Sequence, residues 1–225
     1  MERLTFEIPY WQVDYGSHLI PRVVECLENR QFSMGAATKK LEIEISKLLE
    51  VNRVIGVTSG SDAILMTLIA LGAGPGKKVL LQDRSWIAAA NALGILGCEI
   101  ILVDINHQTG VLDLYDLESK YTPEVIGLVV VEMNGRAPNL EKVSQFCRER
   151  NIFLLEDSAQ ALGSKQREVN LGTFGDAGCF SLSTAKLVGS GQGGFIVTNN
   201  ERLADSLERI RLQGNSDIFT QSGIP

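Results

Sequence analysis

Ile126-Gly127-Leu128-Val129-Val130-Val131 and Ile152-Phe153-Leu154-Leu155-Glu156-Asp157 are two nearly continuous apolar runs, separated by a stretch of helical texture at about residues 139–150. A strand that is apolar at almost every position is buried on both faces, and parallel neighbours need a crossover, usually a helix, to join them. The two runs therefore read as a strand–helix–strand unit of a parallel sheet. Working outward, similar runs occur near residues 54–58, 79–82, 99–103, 178–182 and 194–198, with further helical stretches at about 60–72, 86–97 and 113–121. The expected fold is α/β: a mainly parallel seven-stranded sheet with helices on both faces.

Towards the N-terminus the texture changes. Residues 17–30 place Ile20, Val23, Val24 and Leu27 at helical spacing, with Pro21 tolerated in the first turn. Residues 36–50 repeat the pattern through Ala37, Leu41, Ile45, Leu48 and Leu49, and Gly35 separates the two. At the other end, a helix is expected at about 200–213, after which the chain runs through Ser216-Asp217 to Pro225. No repeat, low-complexity tract or linker interrupts it. The division expected is an N-terminal helical segment at 1–34 and a large α/β domain at 35–225.

At 225 residues the chain is long enough for a sizeable core, and 44% hydrophobic with 21% charged residues is ordinary for a globular protein. A net charge of −6 and an isoelectric point near 5.1, without any basic run, argue against a nucleic-acid-binding surface. Cys26, Cys98, Cys147 and Cys179 are far apart, and free thiols in a reducing compartment are the expectation. With only His18 and His107 beside them, a zinc site is not expected. Met1-Glu2-Arg3-Leu4 begins no secretory pattern, and no apolar stretch reaches the roughly 20 residues of a membrane helix. A cytoplasmic protein with no membrane partner is expected.

In open α/β sheets, ligands bind beyond the carboxyl ends of the strands. The chemically capable residues cluster there: Ser59 to Asp62, Arg84 to Trp86, Asn134 to Arg136 and Asp157 to Gln160. Thr58-Ser59-Gly60-Ser61-Asp62 leads a strand into a helix, where unsatisfied amides and the dipole suit a phosphate, although an ordinary cap would use the same residues. Trp86 opens the next helix and offers a flat face to a ring, or to a core. Lys186, in Ser181-Leu182-Ser183-Thr184-Ala185-Lys186, follows Asp157 by 29 positions. A lysine so placed can form a Schiff base and shuttle a proton. A carboxylate at a strand tip can hold a pyridine nitrogen protonated, making the ring an electron sink; alone, Asp157 would simply cap a turn. Gln160 is suited to donate to the ring oxygen, and Ser181 adds a hydroxyl towards a phosphate. These are the working parts of pyridoxal-phosphate chemistry, with Lys186 and Asp157 as catalytic candidates. Gly60, Ser61, Trp86, Asp157, Gln160, Ser181 and Lys186 are the cofactor-binding candidates.

Gly189, Gly191 and Gly194 have the spacing of a dinucleotide fingerprint. That motif needs a strand before it and a helix after it, whereas here the strand-like Phe195-Ile196-Val197-Thr198 follows. The glycines are expected to form a tight turn that presents Lys186. Gly74-Pro75-Gly76-Lys77-Lys78 is likewise a turn, without the spacing of a phosphate-binding loop.

The blocks Thr58-Ser59-Gly60-Ser61-Asp62-Ala63, Leu71-Gly72-Ala73-Gly74-Pro75-Gly76, Asp104-Ile105-Asn106, Asn134-Gly135-Arg136, Glu156-Asp157-Ser158-Ala159-Gln160-Ala161-Leu162-Gly163 and Ser181 to Lys186, in that order, resemble the DegT–StrS group of sugar-nucleotide aminotransferases. The resemblance implies the large domain of a fold type I pyridoxal-phosphate enzyme, of the aspartate-aminotransferase kind. It also implies amino transfer, usually from glutamate, to a nucleotide-linked keto sugar, in a homodimer with active sites between subunits. By the same resemblance, Gly60, Ser61 and Ser181 would hold the phosphate and Trp86 would stack on the ring. Asp157 would meet the pyridine nitrogen, Gln160 the ring oxygen, and Lys186 would be the Schiff-base lysine.

This chain departs from the family pattern at Ala89, where threonine is common, and at Asp83-Arg84, in place of a proline-containing stretch. It also carries Glu132 where histidine is common. The family's small C-terminal domain is expected to be absent. The rival readings are a shortened domain that binds the cofactor or a partner chain without turnover, and a related sugar dehydratase. Relatives of the latter kind tend to carry histidine in place of the lysine.

Overall fold

A computed structural model describes residues 16–30 and 33–214 of the chain. Two helices lead, α1 at Leu19–Glu28 and α2 at Ala36–Leu49. Then come β1 (Arg53–Val57), α3 (Gly60–Ala70), β2 (Lys78–Gln82), α4 (Ile87–Ile95), β3 (Glu99–Val103), α5 (Leu114–Lys120), β4 (Val125–Val131) and α6 (Leu140–Arg150). The chain continues through β5 (Phe153–Asp157), the short strands β6 (Lys165–Gln166) and β7 (Val169–Asn170), β8 (Ala177–Ser181), β9 (Gly194–Thr198) and α7 (Glu201–Arg211). Seven strands form one sheet in the order β1-β9-β8-β5-β4-β2-β3. Every neighbouring pair is parallel except the two that involve β9, which runs against both β1 and β8. The mainly parallel α/β sheet expected from the apolar runs is what the chain forms.

Alternation along each strand splits the core into two layers. Val79 and Leu81 of β2, Val129 and Val131 of β4, Leu155 of β5, Cys179 of β8 and Ile196 of β9 pack on one face, with α3, α4 and α7 over them. Leu80, Leu128, Val130 and Leu154 face the other way, under α5 and α6. That second face continues with Val54, Phe180, Phe195 and Val197 beneath α2, where the Phe180 and Phe195 rings stack with centroids 4.7 Å apart. Both faces are therefore covered, which is why the strands read as continuous apolar runs rather than alternating ones.

The seven expected strands and their helices appear within a residue or two of their predicted bounds. The differences at helix ends come from caps. Asp113, read as the start of a helix, instead stands before α5, its carboxylate accepting from the Tyr115 and Asp116 amides at 2.8 and 3.1 Å. Hydrophobic spacing cannot separate a cap from a first turn, because a cap contributes no apolar contact. The β6–β7 hairpin was not foreseen, being only two residues a side and mostly polar. Helix α1 forms where the spacing predicts, yet it buries none of its residues and Ile20, Val23, Val24 and Leu27 are all exposed. The flanks of the expected 1–34 and 35–225 division at residues 1–15, 31–32 and 215–225, including Ser216-Asp217 and Pro225, lie outside the described residues. No described helix is long and apolar enough to cross a membrane, and all four cysteines are free thiols.

Candidate active site

Because β1, β2, β4, β5 and β8 run the same way, their carboxyl ends share one edge of the sheet. At that edge lies a cavity of about 890 Å³ whose walls include Gly60, Ser61, Trp86, Asp157, Gln160, Ser181 and Lys186. Those are the seven residues named from the sequence. They come from separate stretches of chain, and the sheet brings all of them together.

Asp157 ends β5 and is 3% exposed. Its carboxylate accepts from the Ala159 amide at 3.2 Å, so it does act as a turn cap as well. Burial raises its pKa from the usual carboxylate range to about 6, against the pull of that amide and of the Lys186 charge. With one amide donor and no hydrogen-bonded cation among the described residues, this buried carboxylate is a costly arrangement that a cationic ligand would relieve.

Lys186 sits in the loop between the antiparallel strands β8 and β9, so the lysine is carried by a hairpin. Its backbone amide donates to the Ser183 carbonyl at 3.0 Å, and the loop is closed behind it by Leu182 N to Gly193 O and Ser190 N to Leu182 O, both at 2.8 Å. Gly191 and Gly193 have positive φ, +86° and +155°, conformations that glycine adopts without strain. The three-glycine run is thus a turn ahead of a strand, with no helix after it. Half-burial lowers the Lys186 pKa, and the charge of Asp157 partly restores it. The net effect favours a neutral, nucleophilic amine more than on an open surface.

At the start of α3, Ser59 accepts from the Asp62 amide at 3.0 Å, and the Asp62 carboxylate takes hydrogen bonds from the hydroxyls of Ser59 and Thr58. The segment is therefore a cap. The cap leaves the amides of Gly60 and Ser61 unengaged by any hydrogen bond among the described residues, at the positive end of the helix, and facing the cavity beside the Ser61 hydroxyl. Gly60 is there for close approach: a Cβ on it would lie 2.8 Å from Cβ of Ser181. Gly60→Ala is expected to cost about 1–3 kcal/mol through the forced separation of α3 from the end of β8. Urea unfolding would measure that loss. An anion titration of the same variant should show weaker phosphate binding.

Gln160 is held by its own oxygen, which accepts from the Asn134 amide at 2.8 Å. That contact identifies which end of the side chain is which and leaves the NH₂ group as the donor available to a ligand. Trp86 stands before α4, 64% exposed, with one side against the cavity.

Ser59 and Asn134, placed by the sequence among the strand-end residues but given no role, and Glu132, noted only as a departure, line the cavity together with Ser183 and Leu162, which were not singled out as site residues. Asn134 carried a signal: Asn-Gly after a strand favours positive φ, and Asn134 has φ +57° in a short 3₁₀ turn at Met133–Gly135. Glu156 faces away from Asp157, fully buried, accepting from the amides of Gly172, Phe174 and Gly175 at 3.0, 2.8 and 2.7 Å.

The residues present suit a planar, phosphate-bearing pyridine. The cavity offers two unengaged amides and a hydroxyl for an anionic end, a buried carboxylate with no hydrogen-bonded cation among the described residues for a ring nitrogen, and an amine on its wall.

A model of the DegT/DnrJ/EryC1/StrS aminotransferase family matches residues 14–223. The chain is 31% identical over 208 residues to the GDP-perosamine synthase of Escherichia coli O157:H7, covering 92% of this chain and 57% of that protein. It is 29% identical over 215 residues to the UDP-N-acetyl-3-dehydro-alpha-D-glucosamine 3-aminotransferase of Acidithiobacillus ferrooxidans, covering 92% and 58%. Among solved structures, NtdA of Bacillus subtilis with bound cofactor PMP superposes with a TM-score of 0.80 at 30% identity, covering 84% of this chain and 43% of that one. The chain thus spans a little over half the length of these curated relatives. With a family model matched across nearly all of its residues, over a parallel sheet and a strand-end cavity, the chain belongs to the DegT/DnrJ/EryC1/StrS aminotransferase family.

Proposed function

We propose that this chain carries the cofactor site of a pyridoxal-phosphate-dependent aminotransferase that passes an amino group, from glutamate, to a keto sugar borne on a nucleotide. The observation that carries the reading is the convergence of Lys186, Asp157, Gln160 and the open N-terminus of α3 on one cavity. The names of the relatives, which refer to GDP- and UDP-linked sugars, support the substrate class. The relative with bound PMP supports the cofactor.

When bound, the cofactor would supply an electron sink for breaking a C–H bond next to nitrogen. The chain does the rest. The amides of Gly60 and Ser61, with the hydroxyls of Ser61 and Ser181, would bind the phosphate, and the Trp86 face would stack on the ring. Asp157, ionised once paired, would hold the proton on the pyridine nitrogen, and the NH₂ of Gln160 would orient the ring oxygen. Lys186 would anchor the cofactor covalently and, once displaced, carry a proton between two carbons from its neutral amine.

The division into an N-terminal helical segment at 1–34 and a cofactor-binding domain from residue 35 belongs to this proposal, as does a homodimer of the family kind. A cytoplasmic setting is supported by four free cysteines in a chain with no described membrane-crossing helix.

Glutamate added to the chain loaded with pyridoxal phosphate tests the function directly. Conversion of the visible band to that of pyridoxamine phosphate is the expected result. A cofactor that binds but never converts would leave a binding domain without turnover.

A further inference from the structure

Glu132 follows β4 in the middle of the sheet, and it is the departure from the family pattern that the proposed chemistry leaves unused. Its side chain is 0% exposed although it lies against the cavity wall. As a carboxylate it finds no donor among the described residues: neither oxygen accepts a hydrogen bond from them. The Ser158 hydroxyl and the Gly172 amide act on it, but neither completes a hydrogen bond in geometry. The ionisable group that acts on it is Glu156, from the adjacent strand β5. Glu156 is equally buried, yet three backbone amides converge on its carboxylate. Two buried carboxylates side by side cannot both be charged, and the one without donors is the one that keeps a proton. Burial and the neighbouring Glu156 together hold the Glu132 carboxyl well above the usual carboxylate range.

The backbone around Glu132 gives this proton a consequence. The Glu132 amide donates to the Asp157 carbonyl at 3.0 Å, and two residues on the Asn134 amide donates to the Gln160 side chain at 2.8 Å. One short turn thus holds both residues that would face the cofactor ring, and the Glu132 side chain is buried at its base, acted on by Glu156 of β5.

We propose that Glu132 and Glu156 share a single proton, and that neutral Glu132, donating to Glu156, is a positioning residue for Asp157 and Gln160. The positioning half rests on the cofactor reading above; the shared proton does not. Glutamine at position 132 keeps a neutral donor of the same length, whereas alanine keeps none.

Infrared spectra of the protein without cofactor, for wild type and Glu132→Gln, test the proton. Near neutral pH the wild type should show the carbonyl band of a neutral carboxylic acid that Glu132→Gln lacks. Pyridoxal-phosphate titrations test the positioning. Wild-type affinity should fall about tenfold as pH is raised far enough for the Glu132 carboxyl, held above the usual carboxylate range, to lose its proton. Glu132→Gln should match the wild type near neutral pH and lack that alkaline loss. Glu132→Ala should bind about tenfold more weakly throughout, having lost one buried hydrogen bond; if it does not fold, the glutamine variant decides the matter alone.

No acid band assignable to Glu132, or an alkaline loss of equal size in Glu132→Gln, overturns the proposal. Wild type that shows the band but binds no pyridoxal phosphate would overturn the cofactor reading and the positioning role together, with the shared proton left standing.

Discussion

Replacing Lys186 by alanine is expected to slow the glutamate half-reaction at least about 10⁴-fold, because a covalent anchor and a proton carrier are lost together. The fold should survive. Lys186 is half-exposed in the β8–β9 loop, and among the described residues its side chain forms no ion pair or hydrogen bond that the core depends on. The loop itself is closed by backbone bonds from Leu182, Ser190 and Gly193, which alanine leaves intact. Pyridoxal phosphate should still enter, held by the α3 N-terminus, but borohydride should no longer fix it to the protein. A wild-type chain that shows no visible band with pyridoxal phosphate, or a Lys186→Ala chain to which borohydride still fixes the cofactor as it does in the wild type, would sink the assignment of this lysine.

Asp157→Asn should separate function from stability. Removing the charge that holds the ring nitrogen protonated is expected to slow the half-reaction about 10²–10⁴-fold, as for loss of a catalytic proton-handling group. The same substitution should stabilise the cofactor-free protein. The folded-state pKa of Asp157, raised by burial to about 6, lies above the roughly 3.9 of an unfolded aspartate. The folded chain therefore binds the proton more tightly than the unfolded one. Stability from this group is fully present below about pH 4 and is lost as pH rises towards about 6. Asparagine has no such proton to lose. Its advantage over wild type should grow across that window and level off at about 1–3 kcal/mol near neutral pH. Urea unfolding without cofactor, at several pH values, reads this gap. A constant gap from about pH 4 to pH 8 would contradict the raised pKa. Pyridoxal phosphate should reverse the order, because it stabilises the wild type by pairing with the charge.

The glutamate in place of the family's histidine belongs to the same balance of charge. Asp157 points to the α3 face of the sheet and Glu156, its neighbour in sequence, to the other. Adjacent strand residues thus place one carboxylate in the cavity and one beneath it. Glu132 joins the second, and the site avoids a third buried negative charge only by keeping a proton there.

Much of the fold was legible because the signals are local. A run such as Leu128-Val129-Val130-Val131 in β4 reads as a strand buried on both sides, and Leu128, Val129 and Val130 are all 0% exposed. Helices α3 to α6 could be placed because each fills the space between such strands. Caps were less legible: Asp113, Asn139 and Asn200 all stand outside the helices they were read into, through side-chain bonds that periodicity does not record. Glu132 was visible in the sequence only as an unusual residue. Its surroundings depend on Glu156, Ser158 and Gly172, which are distant in sequence, and the pairing of β4 with β5 is what brings Glu156 near it.

By itself, the sequence determined the seven strands of the main sheet and the helices, that the sheet is mainly parallel, and which seven residues carry chemistry that a cofactor would use. Those properties follow from side-chain patterns within a few residues, which act before any distant contact forms. The tertiary structure alone decided that β9 slots between β1 and β8 in the opposite direction, turning the glycine run into the hairpin loop that carries Lys186. It alone set Gly60 against Ser181 and Glu132 against Glu156. Strand order and buried charge are settled by which distant surfaces meet and exclude water, and no local pattern contains that.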